Sequence, residues 1–217
     1  MSYRRIVLFC VFLPIFCCGT VFGSTTTVDL PITLDYPMLQ TLVSRSAFPE
    51  PGDKTTLVNE WEQCVYLTLA RPRLSEQAGK LRLEMEVFAR AGTPLAGRCF
   101  HPLEWQGFLV LYQQPYIMPD SWQLAFNTVS TELLAMDGNP GNISSILWNF
   151  IEPRVIAHLN TLHIDLMPPV TDLKGFLMPL FPNQVRDKTE KMLGTMRPGD
   201  VNIMDEHVRV NIRVDVE

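Results

Sequence analysis

Residues 142–166 read NISSILWNFIEPRVIAHLNTLHIDL, and this stretch decides the fold class. Its large apolar residues recur three and four positions apart, which is the spacing of an amphipathic helix. Beyond Pro153 the apolar face rotates by about a third of a turn, so the apolar residues together cover more than half of the helix circumference. An ordinary surface helix has a narrower apolar stripe. We therefore expect a long helix, with Asn142 as its N-cap, that a curved sheet, a partner or a lipid covers.

The first residues have the pattern of a secretory signal peptide. Arg4 and Arg5 form a basic start, and an apolar run follows at residues 6–16. Gly23 provides a small residue before a cleavage point, so we assign residues 1–23 to the signal peptide and the remainder, residues 24–217, to a single domain. The location that this predicts is the periplasm or the exterior.

An uncleaved membrane anchor and a lipoprotein are the alternatives for this segment. The apolar run is near the short limit for a membrane span, and no stop-transfer charges follow it. Cys17 and Cys18 are the candidates for lipid attachment, but neither follows a small residue. Cleavage after Gly23 is therefore the reading that the sequence favours.

The composition of the remaining chain excludes some partners. Removing residues 1–23 leaves 16 basic and 23 acidic side chains, so the net charge is 16 − 23 = −7. Because this charge is negative and no Lys/Arg cluster occurs, we expect no nucleic-acid binding and no simple electrostatic adsorption to anionic membranes. The length suffices for one domain with a sizeable core.

Two cysteines, Cys64 and Cys99, follow the predicted signal peptide. In an oxidising compartment such a pair forms a disulfide more often than a catalytic or metal site. The closed loop would stabilise the fold by roughly 3 to 4 kcal/mol in the chain-entropy model. Two free buried thiols are the alternative.

Alternation of apolar and polar residues predicts several strands with one buried face. Residues 28–34 form the first, and Pro31 favours an edge position for it. Residues 80–90 (KLRLEMEVFAR) have the cleanest alternation, and residues 201–216 predict a terminal hairpin. The remaining strands are predicted at residues 65–69, at 104–114, where the centre is apolar on both faces, and at 122–136.

Short helices and turns separate these strands. We predict helices at residues 36–43 and 187–196, loops at 49–53 and 91–97, and a turn at 197–200. Pro168 and Pro169 are predicted to close the long helical region. The fold class is therefore α+β, with an antiparallel sheet that carries helices on its apolar face.

A search for catalytic or metal-binding patterns gives no convincing site. His158 and His163 are five residues apart and point to different helix faces, which disfavours a shared metal ion. His163 with Asp165, or His101 with Cys99, could form a catalytic pair, but neither pair has a supporting pattern around it. We predict no catalytic residue, no metal ligand and no cofactor. Asn142 begins a glycosylation sequon.

Aromatic and methionine side chains are concentrated in the predicted apolar elements. Such side chains form an adaptable lining that suits flexible apolar ligands, although core packing explains any single one of them. From alternation, the predicted lipid-binding residues are Phe108, Val110, Tyr112, Trp122, Leu124, Phe126, Ile146, Phe150, Leu159 and Phe176.

The layout of residues 28–217 resembles a known superfamily. The features are a short helix at 36–43 after the first strand, a long helix with Pro153 at its middle, and the closing pattern MLGTMRPGDVNI at 192–203. This order is similar to that of the tubular lipid-binding proteins related to bactericidal/permeability-increasing protein, above all their small bacterial periplasmic members. The resemblance implies a highly twisted antiparallel sheet wrapped around a long helix, with an elongated apolar cavity for acyl chains. The chain departs from many small relatives because it lacks a convincing lipidation site.

The sequence therefore predicts a secreted or periplasmic, non-enzymatic binding protein for a lipid or another amphiphile. The ligand would occupy an apolar seam between the helix and the curved sheet, where each buried CH₂ group contributes about 0.8 kcal/mol. The alternative is an envelope assembly protein whose apolar groove accepts a protein partner. A small hydrolase is a third candidate. We expect no nucleic-acid partner and only transient membrane contact.

Overall fold

The structure, a computed structural model, describes residues 26–118 and 120–216, and its fold is α+β. The predicted signal peptide, residues 1–23, lies outside the described residues. The strands are β1 (Thr26–Asp35), β2 (Lys54–Glu60), β3 (Val65–Gln77), β4 (Lys80–Leu95), β5 (Arg98–Met118), β6 (Gln123–Ala135), β7 (Ile164–Asp165), β8 (Arg197–Ile203) and β9 (His207–Val216). The helices are α1 (Tyr36–Ala47), α2 (Ser145–Leu159), α3 (Met167–Leu177) and α4 (Arg186–Gly194). Short 3-10 turns occupy Trp61–Gln63, Met178–Leu180 and Asn183–Val185.

The strands form two antiparallel sheets. One sheet has the order β2-β3-β4-β5-β6-β7 and curls into a half-barrel, and the other has the order β1-β9-β8. β1 and β9 pair in continuous register from Thr26 opposite Val216 to Asp35 opposite His207. The edge position of β1, predicted from Pro31, is therefore confirmed.

Alternation along β4 has the predicted faces. Leu81, Leu83, Met85 and Val87 are fully buried, whereas the intervening polar side chains are only half-buried. In β5 the three consecutive residues Leu109, Val110 and Leu111 are all buried, which confirms that the centre of this strand is apolar on both faces.

Helix α1 begins where the sequence predicts, because Asp35 caps it. The Met38 N–H donates to the Asp35 carboxylate at 2.8 Å, and Pro37 fits the first turn, where its missing N–H is not needed. The Tyr36 hydroxyl donates to the Met204 carbonyl oxygen at 2.6 Å and so ties α1 to the β8–β9 hairpin. Burial, with added repulsion from nearby carboxylates, raises the pKa of this hydroxyl.

Helix α2 is shorter than the sequence predicts. Ser144, not Asn142, is the N-cap: its backbone is extended, and its hydroxyl accepts from the Leu147 N–H at 3.3 Å. The helix ends at Leu159, and residues 164–165 instead pair with β6 as β7. The prediction of one helical segment to residue 166 is therefore wrong at both ends.

The buried face of α2 is a single row of side chains four residues apart. Leu147, Ile151, Val155 and Leu159 are fully buried in the main core cluster, together with the inward residues of α1 and β3 to β6. Because four residues advance by about 400°, such a row winds around the helix axis. The row continues past Pro153, while Ile146 on the same helix is 69% exposed.

Residues predicted as a loop and as a turn belong to strands in the structure. Residues 91–95 continue β4, so the loop shrinks to a hairpin turn in which Ala96 and Gly97 both have positive φ. Residues 197–200 belong to β8, which carries a bulge between Pro198 and Val201. Strand β2 has no counterpart among the strands predicted from the sequence.

Pro168 and Pro169 begin a helix instead of ending one. They lie in the first turn of α3, where proline is tolerated because the first amide groups of a helix have no partner inside it. A second core cluster, which contains Val170, Leu193 and Ile212, joins α3 and α4 to the three-stranded sheet.

Candidate binding site

Cys64 and Cys99 form a disulfide, as the sequence predicts. The bond joins the residue before β3 to the first part of β5, which are neighbours of β4 on its two sides. It occupies the Cys99 sulfur, so the thiol–imidazole pair considered for Cys99 and His101 has no free thiol in this state.

The predicted lipid-binding residues do not form one surface. Leu124, Phe126 and Leu159 are buried in the main cluster, Phe150 packs against that cluster, and Trp122 packs against the second one. These five side chains therefore belong to, or pack against, the two core clusters.

The other five predicted lining residues belong to neither core cluster, although Val110 is fully buried. Phe108, Val110 and Tyr112 alternate with Leu109 and Leu111, which belong to the main cluster, so they occupy the opposite face of β5. On that face the Tyr112 hydroxyl donates to the Glu132 carboxylate at 3.0 Å. Ile146 and Phe176 are largely exposed.

An apolar cleft opens instead between α1 and the start of α3. Its volume is about 310 Å³. We call it the α1–α3 cleft, and its lining residues are Leu34, Met38, Leu42, Ser46, His163, Ile164, Asp165, Leu166, Pro168 and Pro169.

The floor of the α1–α3 cleft is part of the core. Leu34, Ile164 and Leu166 are buried members of the main cluster and come from the end of β1 and from the segment before α3. Met38 and Leu42 form one wall, because residues four apart lie on the same face of a helix. The buried row of α1 is Leu39, Val43 and Ala47, so this wall uses the neighbouring face.

The polar lining residues of the α1–α3 cleft, Ser46, His163 and Asp165, are all exposed. The Asp165 carboxylate accepts from the Met167 N–H at 2.9 Å, and His163 Nδ1 lies 3.0 Å from the Thr161 carbonyl oxygen. Both side chains therefore have backbone partners, and no hydrogen bond joins them in the part of the chain that the structure describes. The geometry gives no support to a His163–Asp165 catalytic pair.

A second cleft, of about 340 Å³, lies beside the disulfide. The rings of Tyr66 and Phe88 meet edge to face at 5.9 Å, and the Arg90 guanidinium lies 4.6 Å from the Phe88 ring centre. Arg90 also donates to the Glu104 carboxylate at 2.8 Å. The charge of Arg90 is therefore already matched by an aromatic ring and a carboxylate, and it is not free to bind a ligand. For this reason we take the α1–α3 cleft as the better candidate for ligand binding.

Comparisons with models of protein families, with characterised proteins and with solved structures find no match for this chain. Its function therefore has to be inferred from its clefts, charges and exposed surfaces. None of the helices within residues 26–118 and 120–216 is long and apolar enough to cross a membrane. The same residues contain no cluster of three His, Cys, Asp or Glu side chains suited to a metal ion.

The α1–α3 cleft could not be predicted from the sequence, because the segments that form its walls are distant from each other in the chain. Met38 and Leu166 are 128 positions apart (166 − 38). One local signal was available: Met38 and Leu42 add a second apolar row to a short helix whose first row already suffices for burial. Nothing local indicated which segment would lie opposite that row.

Proposed function

We propose that this chain is a secreted or periplasmic, non-enzymatic binding protein for a lipid or another amphiphile, whose apolar chain occupies the α1–α3 cleft. The observation that carries the proposal is an apolar floor that reaches the surface beside a polar rim of Ser46, His163 and Asp165. This separation suits a molecule with an apolar chain and a polar head.

The size of the cleft sets the expected ligand and affinity. At about 30 Å³ for a water-sized group, 310 Å³ accommodates roughly ten methylene groups. Their burial would contribute about 8 kcal/mol at about 0.8 kcal/mol each, before the cost of immobilising the ligand. We therefore expect micromolar or weaker dissociation constants for a single chain.

Two features support a location outside the cytoplasm. The Cys64–Cys99 disulfide is compatible with an oxidising compartment, where such bonds persist. The basic and apolar residues of the predicted signal peptide would direct the chain there.

The proposal keeps the resemblance to the tubular lipid-binding superfamily, including a sheet wrapped around a long helix. That arrangement would hold acyl chains alongside α2. Because the side chains of Leu147, Ile151 and Val155 fill the space beneath α2, we favour the neighbouring α1–α3 cleft for the ligand.

An envelope assembly protein is the second candidate function. The observation that favours it is the tip of the β4–β5 hairpin, where Leu95 and Phe100 are both largely exposed. Cross-linking from this tip to one stoichiometric partner, combined with purified protein that carries no lipid by native mass spectrometry, would favour assembly over lipid binding.

Met38→Glu is expected to weaken binding of the fluorescent fatty acid parinaric acid by at least about tenfold, because a carboxylate would enter the apolar wall of the cleft. A glutamate here should not harm folding, since it would lie in the first turn of α1, where negative charge is favourable. Fluorescence titration measures the change.

Met136→Glu is the matched control, because Met38 is 47% exposed, Met136 is 49% exposed, and Met136 is not among the residues of the cleft. We expect wild-type affinity for this control. Equal affinities for the two variants would contradict the assignment of the ligand to the α1–α3 cleft.

A further inference from the structure

The chain leaves α3 through the segment FLMPLFP at residues 176–182. Its apolar side chains Phe176, Leu180 and Phe181 are 68%, 64% and 37% exposed. We call these three residues the α3–α4 patch. Isolated exposed apolar residues are common, but three large ones within six positions are characteristic of an interaction surface.

The α3–α4 patch stands on an anchored turn. Leu177 and Met178, which lie between Phe176 and Leu180 in the chain, pack against the second core cluster. Helix α4 contacts the same 3-10 turn. The fold therefore holds the patch outward while the intervening side chains fix its base.

Basic side chains are frequent in the sequence around this patch, although the protein as a whole is acidic. Residues 174–191 contain four basic and two acidic side chains, whereas the whole chain has a net charge of −5. Lys188 and Lys191 line a cleft of about 210 Å³ on α4. Neither lysine forms an ion pair with another described residue.

The acidic group in the same cleft has another partner. The Asp215 carboxylate accepts from the Arg197 guanidinium at 2.9 Å and from the Thr27 hydroxyl at 2.9 Å. The Arg197 contact lowers the pKa of Asp215, so the pair stays charged and internally compensated over the neutral pH range. The two lysines are thus the uncompensated charges of this cleft.

We infer that the α3–α4 patch docks on a lipid bilayer: Phe176, Leu180 and Phe181 insert among the acyl chains, while Lys188 and Lys191 contact anionic headgroups. A bilayer fits better than a protein groove because the segment that follows the apolar tip carries two lysines with no ion-pair partner among the described residues, and apolar side chains combined with such cations are the pattern of an interfacial membrane site. Since the whole chain is negatively charged, insertion must supply most of the affinity and the lysines mainly the orientation.

This inference extends the proposed function by naming the source of the ligand. Helix α3 begins at the α1–α3 cleft and ends at the patch, and its 11 residues span about 16 Å. Docking through the patch would hold the cleft within one helix length of the bilayer. The two surfaces use different residues, so they can be tested separately.

The first test measures co-sedimentation with vesicles of phosphatidylcholine containing about one-quarter phosphatidylglycerol. The protein is the chain from Ser24 onward, which contains every described residue. We expect the double variant Phe176→Ser with Leu180→Ser to bind at least about tenfold more weakly than the wild type, because two inserted side chains are lost. Lys188→Gln with Lys191→Gln should reduce binding to these vesicles but not to phosphatidylcholine alone.

The matched control is Leu95→Ser with Phe100→Ser, which replaces the same residue types at 69% and 64% exposure on the β4–β5 hairpin. This control should bind vesicles as the wild type does. Equal losses in the two double variants, or no loss in either, would overturn the inference.

The second test locates the patch within the membrane. Phe176→Trp should add tryptophan fluorescence that brominated lipid quenches, whereas the fluorescence added by Phe100→Trp should not be quenched.

If wild-type protein does not bind vesicles but cross-links through residue 176 to an envelope protein, the occupant of the patch is a protein partner and not a bilayer. If Met38→Glu loses parinaric acid but keeps vesicle binding, docking stands and the cleft and the patch act independently.

Discussion

Replacing Cys64 and Cys99 together with alanine should lower the free energy of unfolding by about 4 kcal/mol. The bond closes a separation of 35 residues, and the chain-entropy model assigns a loop of this length a stabilisation of about 4 kcal/mol. Urea unfolding monitored by tryptophan fluorescence measures the loss, with the midpoint compared at constant slope.

Reduction of the wild-type protein with dithiothreitol provides the control, because it opens the same loop without changing a side chain elsewhere. The reduced wild type and the double variant should unfold at similar urea concentrations. A loss below about 1 kcal/mol in both would show that the unfolded chain is already compact around this loop.

Ile151→Ala should lower the free energy of unfolding by about 3 kcal/mol, within the range of 2–5 kcal/mol for truncating a buried isoleucine. Ile151 is fully buried in the middle of the α2 row, so the substitution removes three methyl or methylene groups from the main cluster and leaves a cavity. Thermal or urea unfolding measures the difference.

Ile146→Ala is the matched control on the same helix. Ile146 is 69% exposed, and alanine has the higher helix propensity, so its effect should remain within about 0.5 kcal/mol. Comparable losses at positions 146 and 151 would contradict the orientation of α2 and would mean that a second surface covers Ile146.

The strand pattern of this protein is largely available from the sequence. Leu81, Leu83 and Met85 alternate with charged residues. One polar face is enough to predict both the strand and which of its faces points to the core. Pro31 likewise placed β1 at an edge, because proline removes a donor from the ladder.

The lining residues could not be assigned in the same way, for a physical reason. At Leu109, Val110 and Leu111 both faces of β5 are apolar, so alternation does not distinguish the core side from the outer side. The sequence prediction selected the set that contains Val110, and the main cluster contains the other set.

The predicted element boundaries are wrong where a partner that is distant in sequence determines the local structure. Residues 91–95 have loop composition, yet they extend β4 because β5 pairs with them, for instance at Thr93 opposite Phe100. Pro168 signals either the end of one helix or the start of the next, and only the docking of α3 on the three-stranded sheet selects the second.

The pairing of β1 with β9 has a consequence for how the chain reaches its folded state. Among the described strands, β1 pairs only with β9, which is the last of them. The three-stranded sheet therefore cannot form until β9 has been synthesised. Contacts of such high sequence separation slow folding, because the loop-closure entropy is lost before they form. The six-stranded sheet does not depend on this pairing, because β2 to β6 each pair with the next strand along the chain, so we expect it to form before the three-stranded sheet.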